Sequence, residues 1–581
     1  MYRSFILTIT MVICLLTFVY LYQKNTWKIE TVAEKTENPS MFTDWKIEES
    51  ELTGAPIQED KNIYGTEPDS NIYDVYISVF PTKNAEGEMM NFSVFSKHQS
   101  GVHTFNPTLD CNIQILSEGN VPDPLTNLDA ANAQIRVRGN SSRGEEYKNY
   151  KIKFQEDTDP FLGQQVLNFN KHSDDISKIT TKLAMDLMAK TDNMVSFRTY
   201  FMRIWIRDAS LPKEEQEFKY YGLYTQIEQP NKTFLETHGL SSAASLYKAR
   251  NFSFKMEDVL KNYDDVSYDE TDFETVLGIR EASDHQKLIE MVAAVNDTTN
   301  DFEKIFPIYF NEDNFVTWVA MNLLIGNNDI ISHNYILYSP ENSLTWYFLP
   351  WDLDGALRYG VYAENSVMLP DSLLGGQMLN QSVLFQRYFK IPGNREKIQI
   401  RMEELLANEM SEENVKEYAD QYKKVLSKTL NIRPDISLLR MPLNEMDAYI
   451  DGIYGAMEAN YQSYLIASEY PTPMYISVPT KNLDGTVHYS WDTSYSYQGD
   501  LITYQIFVAT DYEMQNIVYE KKSVIQNQVN SEHALAPGTY YLRVLAVDSE
   551  GDAQISSERL ELLLVDGSEI NRNGIIEFRI E

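Results

Sequence analysis

The sequence predicts an α+β fold: a sheet-rich lobe, a helical lobe after it, and a further β-rich module towards the C-terminus. Three observations carry that expectation. Short alternating strand runs crowd residues 71–230, amphipathic helical periods fill most of 283–468, and from Pro471 onward the pattern returns to strand after strand. Strands grouped first and helices grouped later are the arrangement of an α+β domain, not of alternating βα units.

The bulk properties fit such a chain. Its 581 residues exceed what one core accommodates, and 43% hydrophobic with 12% aromatic residues can fill several. A formal charge of -35 repels nucleic-acid phosphates, so no nucleic acid is expected as a partner. There are two cysteines, Cys14 in an apolar N-terminal run and Cys111 alone in the remainder. One thiol makes no intrachain disulfide, and no zinc-type spacing exists.

The elements follow in order. Residues 5–22 (FILTITMVICLLTFVYLY) carry no charge and are bracketed by Arg3, Lys24 and Lys28, a length that spans a bilayer core as a helix. No small-residue cleavage site follows, and Ile13 before Cys14 argues against a lipoprotein. Residues 1–25 therefore read as an uncleaved signal anchor, with a cleaved signal peptide as the alternative. The basic flanks are nearly balanced, so the positive-inside rule does not orient the segment. The short N-terminal tail places the bulk on the extracellular face of the cell membrane, or in a secreted form if the segment is removed.

Residues 26–70 read as a polar linker, broken by ENPS, TGAP and TEPDS. Residues 71–130 read as a β-rich extension with strands DVYISVF, FSVFS and CNIQILS. A domain over 131–468 begins with QIRVR and YKIKF, two strands joined by GNSSRGEEYKN. Ser173 then caps a helix in DDISKITTKLAMDLMAK. A strand pair, FRTYFMRIWI and YYGLYTQIE, precedes helices at 283–296, 311–326, 394–407, 411–430 and 444–468. Pro471 and Pro473 mark a boundary after which residues 472–568 are expected to fold as a separable unit. There Trp491, ITYQIFVATD and LAPGTYYLRVLAVDSEGD resemble a fibronectin type III module, a small β-sandwich.

The densest chemistry lies in residues 326–355, GNNDIISHNYILYSPENSLTWYFLPWDLDG. An apolar helix ends at Gly326, and Asp329 and Asn334 follow, five apart. NYILY and LTWYFLP form a hairpin around SPENS that returns Asp352 towards Asn334. An acid, an amide, a hairpin and a second acid is the layout that phosphoryl transfer from a nucleotide needs. That reaction is mostly positioning and charge neutralisation, with hard oxygens on Mg²⁺ and a carboxylate near the attacking hydroxyl. Protein kinases place a catalytic-loop Asp five residues before a metal-binding Asn, and a second Asp after a hairpin. Ordinary turn residues account for the same spacing taken alone.

Six ordered matches carry a resemblance. They are IRVRGNSS (135–142), YKIKF (150–154), YYGLYTQIEQ (220–229), SLYKA (245–249), NNDIISHNYILY (327–338) and WYFLPWDLDG (346–355). With the helical run NREKIQIRMEELLANEMSEENVKEYADQY, they make the region similar to the spore-coat-protein-H (CotH) kinases over some 330 residues. The resemblance implies an atypical protein-kinase-like two-lobed domain, ATP and Mg²⁺ (or Mn²⁺) as cofactors, and phosphorylation of protein Ser or Thr hydroxyls. Carried over by position, Asp329 is the catalytic-loop acid, Asn334 a metal ligand, Asp352 the principal metal aspartate and Asp354 a second candidate. The sequence does not separate base from ligand for Asp329. His333 reads as a packing or hydrogen-bonding residue more readily than as a proton carrier.

For the nucleotide, alternation puts Tyr150, Ile152 and Phe154 on one strand face and Lys151 and Lys153 on the other. Arg138, Gly139, Asn140, Ser141 and Ser142 supply a tight, donor-rich turn. The family often has two adjacent lysines before the aromatic, whereas this chain has Tyr147, Lys148 and Asn149, so Lys148, Lys151 and Lys153 all stay open as the phosphate contact. Glu228 is a candidate to pair with a lysine or line the base pocket. Three functions remain: an exported Ser/Thr protein kinase; an inactive kinase-fold surface module binding proteins or, through its C-terminal module, polysaccharide; and a glycosidase using a carboxylate pair.

Overall fold

The computed structural model describes residues 54–581 apart from 66–67, 85–86, 98–105, 123–127, 140, 174, 328, 358–376 and 564–568. The apolar run 5–22 and most of the stretch read as linker lie outside the described residues. Among the described residues no helix is long and apolar enough to cross a membrane.

Seven strands close into a barrel: β1 (Ile72–Val79), β2 (Thr108–Ser117), β3 (Ala133–Arg138), β4 (Asn149–Phe154), β5 (Val166–Asn170), β6 (Thr199–Asp208) and β7 (Lys219–Glu228). β1 closes it, pairing antiparallel with β2 and parallel with β6. Val75, Ile77 and Val79 point inward to meet Ile135, Ile152, Leu167 and Ile204, and Cys111 is buried among them as a free thiol. Asp74 sits on the outer side of β1 and is held by Arg203 at 2.7 Å. Residues 71–130 are therefore not an extension preceding the domain, because two of the seven barrel strands come from them. Closure depends on backbone pairing between strands far apart in sequence, and periodicity carries no sign of it.

Two local expectations change. FSVFS is a one-turn helix, Phe92–Ser96, since the Asn91 side chain caps the Val94 N–H at 3.0 Å and sends Phe92 and Phe95 into the barrel core. The helix expected from Ser173 starts later, as α1 (Thr180–Ala189). The buried Asp175 accepts from the Ser177 and Thr180 N–H groups at 2.8 and 2.9 Å, fixing a turn before α1 begins.

A second sheet follows, ordered β9–β8–β10–β11, from β8 (Ala244–Ala249), β9 (Leu277–Glu281), β10 (Tyr335–Pro340) and β11 (Tyr347–Pro350). Beneath it runs α2 (Glu312–Leu324), buried nearly all round, with Trp318 against Phe348 at 4.8 Å. Helices Asn394–Ala407, Glu412–Thr429, Leu443–Asp451 and Ile453–Glu469 complete this lobe; the last two replace the single helix read over 444–468.

Part of the presumed linker is built in. Gly54 N donates to Thr345 Oγ1 at 2.9 Å, and Tyr347 Oη to the Ala55 carbonyl at 2.7 Å. Lys61 Nζ reaches the carbonyls of Ala189, Thr191 and Met194 at 3.1, 3.1 and 2.6 Å. Residues 54–64 thus strap the helical lobe to the end of α1.

The C-terminal region holds a three-stranded and a five-stranded sheet sharing one buried cluster, with Trp491, Tyr504, Leu542 and Phe578 in it. Strand Ile576–Ile580 pairs with Gly538–Val547, so the region runs beyond residue 568, where the sequence reading ended it. It is also docked. The buried Arg395 guanidinium lies between Tyr464 and Tyr497, 4.2 and 4.1 Å from their ring centres, and Gln498 Nε2 donates to the Ser468 carbonyl at 2.7 Å. Thr472 and Met474, beside the prolines, are buried.

Candidate functional site

Alternation along β3 and β4 turns Val137, Tyr150 and Ile152 into the barrel and leaves Arg136, Arg138, Lys151 and Lys153 outward. β8, β9 and the residue after β8 bring Lys248, Arg280 and Arg250 to face them, and Gln229, Pro230 and Asn231 line one end. Together they enclose a cleft of about 700 Å³ whose described lining includes no carboxylate. Trp351 lies at its inner end, with Lys248 Nζ 5.4 Å and the Arg138 guanidinium 6.0 Å from the ring centre. Burial, with Arg136, Arg280, Arg138 and Lys153 nearby, pushes Lys151 down to about 7. Burial lowers Lys248 to about 8 although Asp352 opposes the shift. It brings Arg280 to about 10, helped by Arg250.

The β3–β4 turn needs Gly139, at φ 86°, because a Cβ there would lie 2.1 Å from Ser142 Oγ. Ser142 Oγ accepts from Asn149 Nδ2 at 3.1 Å, and the Gly139 carbonyl accepts from Arg143 Nε at 2.7 Å. Ser141 opens the short 3-10 helix Ser141–Gly144, and Asn140 lies outside the described residues.

Two candidates face elsewhere. Lys148 is buried in the turn, its Nζ donating to the Arg143 and Glu145 carbonyls at 2.6 and 2.5 Å. Glu228 is buried too, and it pairs with an arginine and a histidine instead of a lysine. Arg198 Nε donates to it at 2.8 Å, and His238 Nε2 lies 2.9 Å from its other oxygen. An acid at the end of a strand next to a hydrogen-bonding His and Arg is drawn out of the cleft.

At the other wall, α2 ends through Gly326 at φ 62° and the chain enters the loop carrying Asp329. Asn334 Nδ2 donates to Asp329 Oδ2 at 2.6 Å, and His333 Nε2 is paired with Oδ1. Both Asp329 and His333 are half-exposed. β10 and β11 pair with Tyr335 opposite Pro350, so Asn334 and Asp352 lie just past the same end of the hairpin. Each adopts a left-handed backbone, φ 61° and 58°, a strained conformation that clusters at functional sites. Asp352 favours the charged forms of Arg138 and Lys248, and Asp354 that of Arg138.

The structure therefore gathers Asp352, Arg138, Lys151 and Lys153 around one cleft, and sets the Asp329–Asn334 pair at the end of its neighbouring hairpin. Sequence reasoning missed Arg136, Lys248, Arg250, Arg280 and Trp351. The alternation that exposed Lys151 applies equally to Arg136 in QIRVR, and SLYKAR holds Lys248 and Arg250. It also missed His172, buried with neither ring nitrogen hydrogen-bonded, which burial pushes down to about 4 although the charges of Asp175 and Asp352 oppose it.

Inner spore coat protein H of Bacillus subtilis (strain 168) is 23% identical over 265 residues, covering 44% of this chain and 67% of that protein. Among solved structures, a Helicobacter pylori proinflammatory kinase, CtkA, is similar at 10% identity, covering 55% of this chain and 94% of that one with a TM-score of 0.25. A Golgi casein kinase is similar at 10% identity, covering 59% and 72%, with a TM-score of 0.22. The family model described as CotH kinase protein matches residues 135–441. That match spans more than half of the 581 residues, and the chain belongs to the CotH kinase protein family.

Proposed function

We propose that the chain is an exported protein kinase that transfers the ATP γ-phosphoryl group to Ser or Thr hydroxyls of surface or coat proteins. The observation that carries this reading is the cation-lined cleft with Asp352 at its inner end and the Asp329–Asn334 pair beside it. Arg138, Lys151 and Lys248, which line that cleft, would meet phosphate oxygens, and Trp351 would close the site behind them. Asp329, its carboxylate oriented by Asn334 and His333, would accept the proton of the attacking hydroxyl.

Mg²⁺ commonly takes one or two protein oxygens and leaves its other positions to phosphates and water. The Asp352 carboxylate and the Asn334 side-chain carbonyl fit that need, with Asp354 as a third oxygen donor, and Mn²⁺ suits the same donors. When bound, the ion would neutralise charge developing on the phosphates. The membrane-anchored, extracellular placement rests on residues 5–22, and a fibronectin type III-like β-sandwich rests on the shared core around Trp491. Such a module would contact protein or surface polysaccharide.

The test uses the full-length chain with labelled ATP and Mg²⁺ or Mn²⁺, read as label on protein Ser or Thr. Asp329→Asn should leave nucleotide binding near normal and lower transfer by about 10²–10⁴, the usual worth of a positioned general base. Tight nucleotide binding with no transfer in the unaltered protein would favour the inactive binding module instead.

A further inference from the structure

The cleft carries more positive charge, over a greater length, than a nucleotide neutralises. On the β3–β4 ladder Arg138 stands at one end, Arg136 opposite Lys151 in the middle, and Lys153 opposite Gln134 at the other end. At about 3.3 Å per residue this row is roughly 13 Å long. Like charges directly across an antiparallel pair repel, so Arg136 and Lys151 oppose their own strand pairing. Lys248, Arg250 and Arg280 face the row from the second sheet.

Compensation is confined to two places. Asp352 and Asp354 lie near Arg138 and Lys248 at the inner end, and Glu274 pairs with Arg250 at 3.3 Å and also favours the charged form of Arg280. Arg136, Lys151, Lys153 and Arg280 form no ion pair among the described residues, and Arg280 Nε is buried without a hydrogen-bond partner. A nucleoside triphosphate with its phosphates at the Asp352 end would lay a neutral base and sugar along the far half. Arg136 and Lys153 would remain uncompensated, and Arg280 would be met by Glu274 alone.

We infer that this cleft binds a linear oligophosphate of about five phosphates, one negative charge on each inner phosphate and up to two on each end, running from Arg138 and Lys248 to Arg136 and Lys153. This goes beyond the nucleotide reading, because it concerns the half of the cleft that a triphosphate does not reach. The shared chemistry has two sources, an inorganic polyphosphate or the phosphate run of a nucleoside polyphosphate. The long row and the scarcity of apolar lining favour the inorganic chain.

Calorimetric titration of the full-length chain with inorganic tripolyphosphate, inorganic pentapolyphosphate, adenosine tetraphosphate and Mg-ATP tests the inference. Pentapolyphosphate should bind at least about tenfold tighter than tripolyphosphate, as expected from further ion contacts in a partly dehydrated cleft. Combining Arg136→Gln with Lys153→Gln, both at exposed positions, should weaken the long chain far more than the short one, with the thermal melt unchanged. Adenosine tetraphosphate binding tighter than the inorganic chain would assign the site to nucleoside polyphosphates and overturn the inorganic source. Equal affinity for chains of three and five, an advantage that survives the double substitution, or equally tight binding of an oligoaspartate of the same charge would overturn the proposal. Mg-ATP on the same samples reads the nucleotide proposal separately: losing it while pentapolyphosphate still binds sinks that reading and leaves this one.

Discussion

Asp352 occupies a left-handed backbone position at the inner end of a cleft whose walls are cationic. Its carboxylate favours the charged forms of Arg138 and Lys248, and in the proposed reaction it also holds the metal. Asp352→Ala should therefore lower phosphoryl transfer by about 10³ or more, the loss typical when preorganised charge stabilisation goes. Thermal stability should change much less, because the residue is partly exposed and the strain of its backbone is not a source of stability. Transfer assays and melting curves on one preparation decide this, and full activity in the variant would remove Asp352 from the site. At this scale the sequence was informative wherever a period or a spacing was local. Alternation placed Lys151 and Lys153 on the cleft side, and the five-residue step placed Asn334 against Asp329. It failed for Lys148 and Glu228, whose partners are turn carbonyls in one case and Arg198 and His238 in the other. A lysine just before a strand and an acid at a strand end look alike whether they face solvent, ligand or core.

The strap of residues 54–64 is the element least visible beforehand, because its polar composition is also that of a tether. It is fixed in part by a buried charge relay. His238 lies between Glu59 Oε1 at 2.6 Å and Glu228 Oε2 at 2.9 Å, with Arg198 on the far side of Glu228. Burial works against the charged ring, but the hydrogen bonds and charges of Glu228 and Glu59 overcome it and raise the His238 pKa above 6.5. The stabilisation it adds is complete below the unfolded value and is lost as pH rises through the raised folded one. For Glu228 burial also opposes the charge, while His238 and Arg198 hold its pKa below the ordinary 4.5. Its contribution is present above that ordinary value and is lost as pH falls through the lowered one. Melting temperature should thus peak between the two windows and decline on the alkaline side above about pH 6.5. His238→Gln should flatten that decline and cost about 2 kcal/mol at the peak, because each buried carboxylate loses a charged hydrogen-bond partner while Glu228 keeps Arg198 and Glu59 keeps Lys61. Melts across the pH range check it, and an alkaline limb unchanged in the variant would assign the pH dependence to other groups.

On the scale of the whole molecule, the sequence showed the order of lobes but neither the closure of the barrel nor the docking of the last module. Helix periods at 394–407 and 411–430 and the strands after Pro471 were legible because each is a local pattern. Arg395, a charged residue inside one of those helices, gives no sign of the two tyrosines that sandwich it, one of them about a hundred positions away. The expectation of a freely separable module changes accordingly. Ending the chain after Glu469 removes Tyr497 and uncovers Arg395, and should destabilise the remaining protein by about 2 kcal/mol, the value of a desolvated cation–aromatic contact. Urea melts of the full and shortened chains measure it. Coincident midpoints would show that the docking contributes nothing to the rest.

The parallel seam between β1 and β6 has a consequence in time. Synthesis delivers β1 among the first strands, yet the residues it meets in β6 come much later, Arg203 being 129 positions from Asp74. β2 covers one edge of β1 early; the other stays open until α1 and β6 exist. The sequence along that edge, IYDVYISV, is rich in β-branched and aromatic residues and has neither lysine nor proline to discourage a foreign strand. Pairing across such a separation is intrinsically slow to form. The nascent chain is therefore most prone to self-association during one interval, after residue 117 has emerged and before residue 208 has, and that hazard ends when the barrel shuts.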